Sequence, residues 1–161
     1  MVLERLLPKT ASNEYRGHRI AMWFFVLYVA VTIARSLVHL AAPDGGAQSI
    51  ATIPLHEFSR NAAATVIHLF GLWGVSQLVV GIVCLVAAVR YRSLIPLCYL
   101  LGAGEYALRL LLALVKPIEI EGTAPGGVAN YVLVPLLLLM LWLSLRPARP
   151  ARGGASGTGR S

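Results

Sequence analysis

Three charged residues lie inside apolar segments that are long enough to cross a membrane: Arg35, Glu105 and Arg109. Two histidines, His39 and His68, lie at nearby depths in the same set of segments. Ionisable side chains are costly in hydrocarbon and rarely face lipid, so each of the five is a candidate for function. Guanidinium groups form strong paired hydrogen bonds with acidic groups. These residues therefore predict a polar site inside a membrane protein.

The spacing of the polar residues predicts which of them share a helix face, because side chains at i, i+3, i+4 and i+7 lie together. The residues grouped in this way are Tyr28, Thr32, Arg35 and His39 in the first segment, Asn61, Thr65, His68 and Ser76 in the second, and Gly102, Glu105, Arg109 and Lys116 in the third. At a rise of about 1.5 Å per residue, Arg35, His68 and Arg109 lie about 9–11 Å below one boundary. Their shared depth predicts one site built by three helices.

The charges of this predicted site do not balance. Arg35 and Arg109 carry two positive charges, whereas Glu105 carries one negative charge. An unpaired guanidinium is costly to bury, so a bound anion, a loop carboxylate such as Asp44 or Glu57, or an acidic residue of a partner should complete the site. The predicted ligand-binding residues are Arg35, His39, Asp44, His68, Glu105 and Arg109.

A purely structural role explains the same residues equally well. Glu105 and Arg109 form an i,i+4 pair in the favourable order, so they can neutralise each other on one helix. Arg35 and His39 lie close enough to a helix end to extend towards lipid headgroups. Polar side chains also hold membrane helices together without any ligand. The sequence leaves this alternative open beside ligand binding.

Four membrane-spanning helices must position these residues. Of the 161 residues, 57% are hydrophobic and 13% are charged, whereas soluble domains carry about 25% charged residues. A spanning helix needs about 20 mostly apolar residues. The segments that qualify are 20–42, 62–89, 94–115 and 128–145. We therefore predict an all-α membrane protein, a four-helix bundle over residues 20–146.

The distribution of Lys and Arg predicts the orientation of the bundle. Ten of these residues lie in the arm 1–19, in the link between the second and third helices, and in the tail from Arg146, against two in the other loops. The positive-inside rule then places both termini in the cytoplasm of a bacterial-type plasma (inner) membrane. The basic arm is predicted to touch anionic lipids. The tail 147–161 is rich in Pro, Gly, Ala, Ser and Arg and is predicted to be disordered.

Other residues and motifs bear on catalysis and cofactors. His39 and His68 raise a haem held between the first two helices, and with Tyr28 or Tyr106 they raise a quinone site. Neither cofactor is favoured by the spacing. HExxH, GxSxG, phosphate-binding Gly-Lys and CxxC motifs are absent, so the sequence predicts no catalytic residues and no metal site, and it favours a protein that is not an enzyme. The basic residues are not interleaved with aromatics as nucleic-acid binding requires.

Small residues predict close packing between helices. Gly74, Gly81 and Ala88 recur every seven residues and form a face for another helix of the bundle or for a second copy of the chain. Cys84 and Cys98 are predicted to face each other across the second hairpin. Buried cysteines usually behave as small hydrophobic residues, so no redox pair is inferred.

The overall layout has four helices, both termini inside and a longer first outer loop, 43–61. This layout resembles that of the DoxX-like membrane proteins, and a likeness of layout carries no function. From the polar site we predict that the protein binds a small anionic or amphiphilic ligand beneath loop 43–61. The alternatives are an accessory subunit or homo-oligomer in a larger membrane complex and a redox protein with haem or quinone.

Overall fold

The computed structural model describes residues 2–147, and within this range the chain is helical without strands. Four of its helices are long and apolar enough to cross a membrane, which confirms the predicted fold class. The predicted tail 147–161 lies outside the described residues except for Pro147. The α-helices in this range are α1 (Val2–Leu6), α2 (Arg19–Ala41), α3 (Arg60–Val89), α4 (Ile95–Val115) and α5 (Pro125–Leu145).

Local side chains set where the long helices begin. The backbone N–H of Ile20 donates to Nδ1 of His18 at 3.2 Å, and that of Ala62 donates to Oγ of Ser59 at 3.3 Å. Both bonds satisfy N–H groups that the first helical turn leaves without a partner. Helices α4 and α5 each carry a proline in the first turn, where a missing N–H removes no helical hydrogen bond.

The long helices pack as two antiparallel pairs. Helix α2 contacts α3 extensively and α4 contacts α5 extensively, whereas α3 and α4 touch each other sparsely. The rings of Phe25 and Tyr99 are fully buried where the pairs meet, with centroids 5.3 Å apart, and the Tyr99 hydroxyl donates to the Ala21 carbonyl at 2.6 Å. Many apolar side chains point outwards, which suits a surface that faces lipid.

The bundle has two different ends. At the N-terminal end, residues 2–18 fold across the helix termini, where the Arg5 Nη1 group donates to the Leu145 carbonyl at 2.8 Å and the His18 N–H donates to the Leu143 carbonyl at 3.1 Å. At the loop end, residues 42–59 join α2 to α3 and residues 116–124 join α4 to α5. The polar residues of the predicted site belong to the half nearer the loop end.

Candidate functional site

Two arginines from different helices meet between the same two aromatic rings. The Arg109 Cζ atom, on α4, lies 4.9 Å from the ring centroids of both Trp73 and Tyr106. The Arg35 Cζ atom, on α2, lies 5.9 Å and 5.8 Å from the same two centroids. Cations within about 6 Å of a ring centroid are attracted by the π electrons. Helices α3 and α4 contact each other sparsely. The two guanidinium groups therefore provide a connection between them, from Trp73 on α3 to Tyr106 on α4.

Each guanidinium also has a polar partner. Arg109 Nη2 donates to Glu105 Oε1, and Arg35 Nε donates to Gln77 Oε1 at 3.2 Å. The Arg109 side chain is only 18% exposed, and Gln77 is 4% exposed. Among the described residues, the buried Nε2 group of Gln77 has no hydrogen-bond partner. We call this group the arginine site: Arg35, Trp73, Gln77, Glu105, Tyr106 and Arg109.

Helix geometry explains how the arginine site is assembled. Glu105 and Arg109 are four residues apart and Tyr106 and Arg109 are three apart, so all three lie on one side of α4. Trp73 and Gln77 are related in the same way on α3. Arg35 completes the site from α2, which packs closely against α3. The site therefore has two cations and one carboxylate.

His39 lies beside the arginine site and contacts it through Trp73. Its ring centroid is 4.7 Å from that of Trp73 and 5.8 Å from that of Phe70, and its side chain is 5% exposed. The His39 Nδ1 atom lies 2.7 Å from the Gly45 carbonyl. A carbonyl oxygen only accepts, so Nδ1 carries the hydrogen, and in the neutral ring Nε2 is an acceptor. Within residues 2–147, this buried Nε2 atom has no partner.

Close packing of α2 on α3 depends on two glycines. A Cβ atom on Gly74 would lie 2.8 Å from the Cβ atom of His39, and one on Gly81 would lie 2.9 Å from Cγ1 of Ile33. Both distances are shorter than van der Waals contact, so these positions accept only glycine without movement of α2. The small-residue face predicted on α3 is thus occupied by α2 of the same chain.

Asp44 does not reach the arginine site. Its carboxylate accepts hydrogen bonds from the N–H groups of Gly46, Gln48 and Ser49 at 2.9, 3.0 and 2.6 Å, and from the Ser49 hydroxyl at 3.1 Å. Partial burial opposes ionisation, but these donors outweigh it and lower the pKa of Asp44 to about 2. The carboxylate folds loop 42–59, in which Gly45 and Gly46 have φ values of +61° and +78°.

Loop 42–59 packs against α3 instead of lying along the membrane surface. Ala47, Ile53 and Leu55 are buried and contact Val66, Ile67 and neighbouring side chains of α3. The loop therefore covers the loop end of the α2–α3 pair.

His68 lies apart from the arginine site. It is exposed on α3, together with Asn61, Thr65 and Ser76, so the interior polar face predicted for α3 was wrong. His68 is six positions before Gly74. At about 100° per residue, the His68 side chain points about a third of a turn away from the face of α3 that packs on His39. The interior of α3 instead carries Gly74, Gln77, Gly81, Cys84 and Ala88.

The candidate cofactor and metal ligands lie in different environments. His39 is buried and His68 is exposed, so the two do not face each other as a pair of haem ligands would. The ligand atoms of His56, Glu57 and Glu121 lie within 4.8 Å of one another, but all three side chains are exposed. A cluster of exposed acidic groups is common without an ion, so it supports no metal site. The quinone hypothesis stays a prediction, with Tyr106 in the arginine site.

Loops 42–59 and 116–124 meet above the arginine site. The Glu121 N–H donates to the Thr52 carbonyl at 3.0 Å, and the His56 Nε2 atom lies 3.3 Å from Glu121 Oε1. One loop belongs to the α2–α3 pair and the other to the α4–α5 pair. These polar contacts therefore connect the two pairs at the loop end.

Two residues of the arginine site, Trp73 and Gln77, are not among the residues predicted from the sequence. A signal for Gln77 was present, because the residue lies on the same heptad face as Gly74, Gly81 and Ala88. A polar amide on a small-residue face belongs to the interior of a bundle.

No protein-family model, curated protein or solved structure matches the chain. The resemblance to the DoxX-like proteins therefore rests on layout alone.

Proposed function

We propose that this protein binds the acidic headgroup of an amphiphile in the arginine site. One observation carries the proposal: Arg35 and Arg109 lie against the same two rings, and the arginine site contains a single carboxylate, Glu105, which pairs with Arg109. The buried Nε2 group of Gln77, which has no hydrogen-bond partner within residues 2–147, supplies a further donor beside Arg35. A small multi-pass membrane protein with such a site is suited to ligand binding.

The energetics favour an anion as the missing component. Within an apolar segment, an uncompensated guanidinium and an unpaired amide each have a high free energy because water is excluded. An acidic oxygen that accepts from Arg35 and from Gln77 Nε2 would lower both free energies at once. Glu105 already accepts from Arg109 and leaves the second positive charge for the ligand.

An amphiphile suits the surroundings of the site better than a small soluble anion. Leu72, Leu108 and Leu112 are exposed near the arginine site on α3 and α4, so an apolar chain has surface to lie against. Because α3 and α4 contact each other sparsely, we expect the ligand to enter from the side, between these two helices. The headgroup would interact with the guanidinium groups while the chain stays in lipid.

The orientation belongs to the same proposal. Lys and Arg are concentrated at the N-terminal end, which supports cytoplasmic termini in a bacterial-type plasma membrane. The arginine site then lies in the outer half of the bilayer, beneath loops 42–59 and 116–124. It would take ligands from the outer leaflet.

A fluorescence titration tests the proposal, since Trp73 belongs to the site. Replacing Trp23 and Trp142 by Phe leaves Trp73 as the only tryptophan. We expect oleate to change its emission and oleyl alcohol, which lacks the charge, to have little effect. Arg35→Gln with Arg109→Gln should raise the Kd for oleate about tenfold or more, because hydrogen bonds to charged groups contribute roughly 1.5–3 kcal/mol each.

The matched control is Arg60→Gln with Lys116→Gln, which removes two positive charges at the same end outside the site. It should change the Kd by less than about twofold, because exposed charges contribute little. If the double arginine variant does not fold, Gln77→Leu keeps both arginines and should still weaken binding. Equal affinity for oleate and oleyl alcohol would refute the proposal. A stoichiometric acidic partner in native mass spectra would favour the accessory subunit.

A further inference from the structure

A polar cavity lies at the N-terminal end of the bundle. It has a volume of about 320 Å³, is partly open to solvent, and is lined by residues of the arm between Glu4 and Gly17, by the turn between α3 and α4, and by the start of α4 and the end of α5. This size is within the range of small-ligand sites, about 300–1,000 Å³. We call it the arm cavity. Its position at the opposite end of the helices makes it independent of the arginine site.

Hydrogen bonds between distant segments build the walls of the arm cavity. The Ser93 N–H donates to the Ser12 carbonyl at 3.1 Å, and the Ser12 N–H donates to the Ser93 hydroxyl oxygen at 2.9 Å. The bond from Arg5 to the Leu145 carbonyl fixes the arm to α5. Gly17 is buried against Tyr15 and the Ser144 carbonyl, where a side chain would not fit. The cavity is therefore a defined structure and not a gap under a loose arm.

The charge of the lining is positive. Four basic side chains line the cavity, three from the arm and one from the turn between α3 and α4, against two carboxylates, those of Glu4 and Glu14. Glu14 is already paired with Arg16 at 2.8 Å. The hydroxyl groups of Ser12 and Ser93 add neutral donors to the same wall. The basic residues are Arg5, Lys9, Arg16 and Arg92.

We infer that the arm cavity binds an anionic phosphate group. Guanidinium, ammonium and hydroxyl groups are the side chains that hold phosphate oxygens in proteins. Pro96 and Ser144, near the ends of α4 and α5, line the cavity, so it lies at the level where lipid headgroups meet the bundle. The phosphate can come from an anionic phospholipid headgroup or from a soluble phosphate ester. Both sources share this chemistry, and the experiment distinguishes them.

The experiment uses the full chain in lipid nanodiscs. In nanodiscs with equal amounts of phosphatidylglycerol and phosphatidylcholine, native mass spectrometry measures which lipid stays bound. In nanodiscs of phosphatidylcholine alone, calorimetry measures binding of soluble glycerol 1-phosphate. The cavity variant is Lys9→Gln with Arg92→Gln. The control is Arg19→Gln with Arg90→Gln, which removes the same charge at the same end from residues that do not line the cavity.

We expect the wild type to prefer the anionic lipid or to bind glycerol 1-phosphate, and the cavity variant to lose about tenfold of that affinity. The control should stay within about twofold. Retained phosphatidylglycerol without heat from glycerol 1-phosphate identifies the lipid as the source, and the reverse identifies the soluble ester. Equal losses in both variants, at unchanged thermal stability, would mean a general surface attraction and would overturn the inference. Absence of both bindings in the wild type would overturn it as well.

Discussion

The two ends of this bundle hold positive charge in different ways. At the loop end, Arg35 and Arg109 lie within apolar spans, where two rings and one carboxylate surround them. At the N-terminal end, basic side chains such as Lys9 and Arg92 lie beyond the spans on an arm and a turn. The arm cavity has more cations, but its basic residues are largely exposed. Burial rather than number should therefore decide how much each charge contributes.

The largest effect should come from pushing α2 and α3 apart beneath the arginine site. Gly74→Leu places a side chain where even a Cβ atom would lie 2.8 Å from His39, and overpacking costs roughly 1–3 kcal/mol. We expect a lower Tm and a lost Trp73 response to oleate, with phosphate binding at the arm cavity kept. Gly104→Leu is the control, because within residues 2–147 no other segment has an atom within 4 Å of its Cβ position. Equal Tm values for the two variants would contradict the packing argument.

A second comparison replaces one carboxylate by an amide at each end of the bundle. Glu105→Gln leaves both guanidinium groups without a carboxylate, so the Kd for oleate should fall, by about threefold to tenfold, while the Tm decreases. Glu14→Gln removes a carboxylate from the exposed ion pair with Arg16 and should change phosphate binding by less than about twofold. Titrations of both variants measure this contrast. A larger change in the phosphate Kd for Glu14→Gln than in the oleate Kd for Glu105→Gln would contradict the expected difference between the two ends.

Salt should separate the two ends further. Raising the ionic strength from about 0.1 M to about 1 M shortens the screening length from about 10 Å to about 3 Å. The exposed arm cavity should then lose about tenfold in phosphate affinity, and the half-buried arginine site should lose less than about threefold in oleate affinity. Repeating both titrations in NaCl and in sodium sulfate controls for ion-specific effects. Equal salt dependence would show that both sites are equally open to water.

The smallest effect concerns the loop above the arginine site. The pKa of Asp44 is lowered from 3.8 to about 2 in the folded protein, so its ionised form is favoured by folding. Its stabilising effect is complete above the unfolded value and is lost as the pH falls through about 2. Asp44→Asn should remove this part of the acid dependence. Thermal unfolding between about pH 5 and about pH 2 measures the difference, with Glu57→Gln as a control in the same loop.

The four spans were predictable from the sequence. The predicted bounds 20–42, 62–89, 94–115 and 128–145 differ from the observed helices by at most three residues at either end. The reason is that membrane helices must bury every backbone hydrogen bond within one long apolar segment. Proline and serine near the helix starts account for the small differences, since Pro125 and Ser59 begin their helices earlier than hydropathy alone suggests.

The candidate site was predictable only in part. The charged residues Arg35, Glu105 and Arg109 were found because charge is rare in a span, and the structure brings them together. The face of α3 was assigned wrongly because that helix is apolar on all sides, so its polar residues do not mark the interior. Close packing on α2 decides the face, and Gly74 rather than His68 carries that information.

The bond between Arg5 and Leu145 joins groups that are 140 residues apart in the chain. During synthesis Arg5 emerges well before Leu145, so the arm cavity has no complete wall until α5 has been made. The arginine site, in contrast, uses no residue beyond Arg109 and can form one helix earlier. A chain that stops before α5 would therefore carry the arginine site without the complete arm cavity.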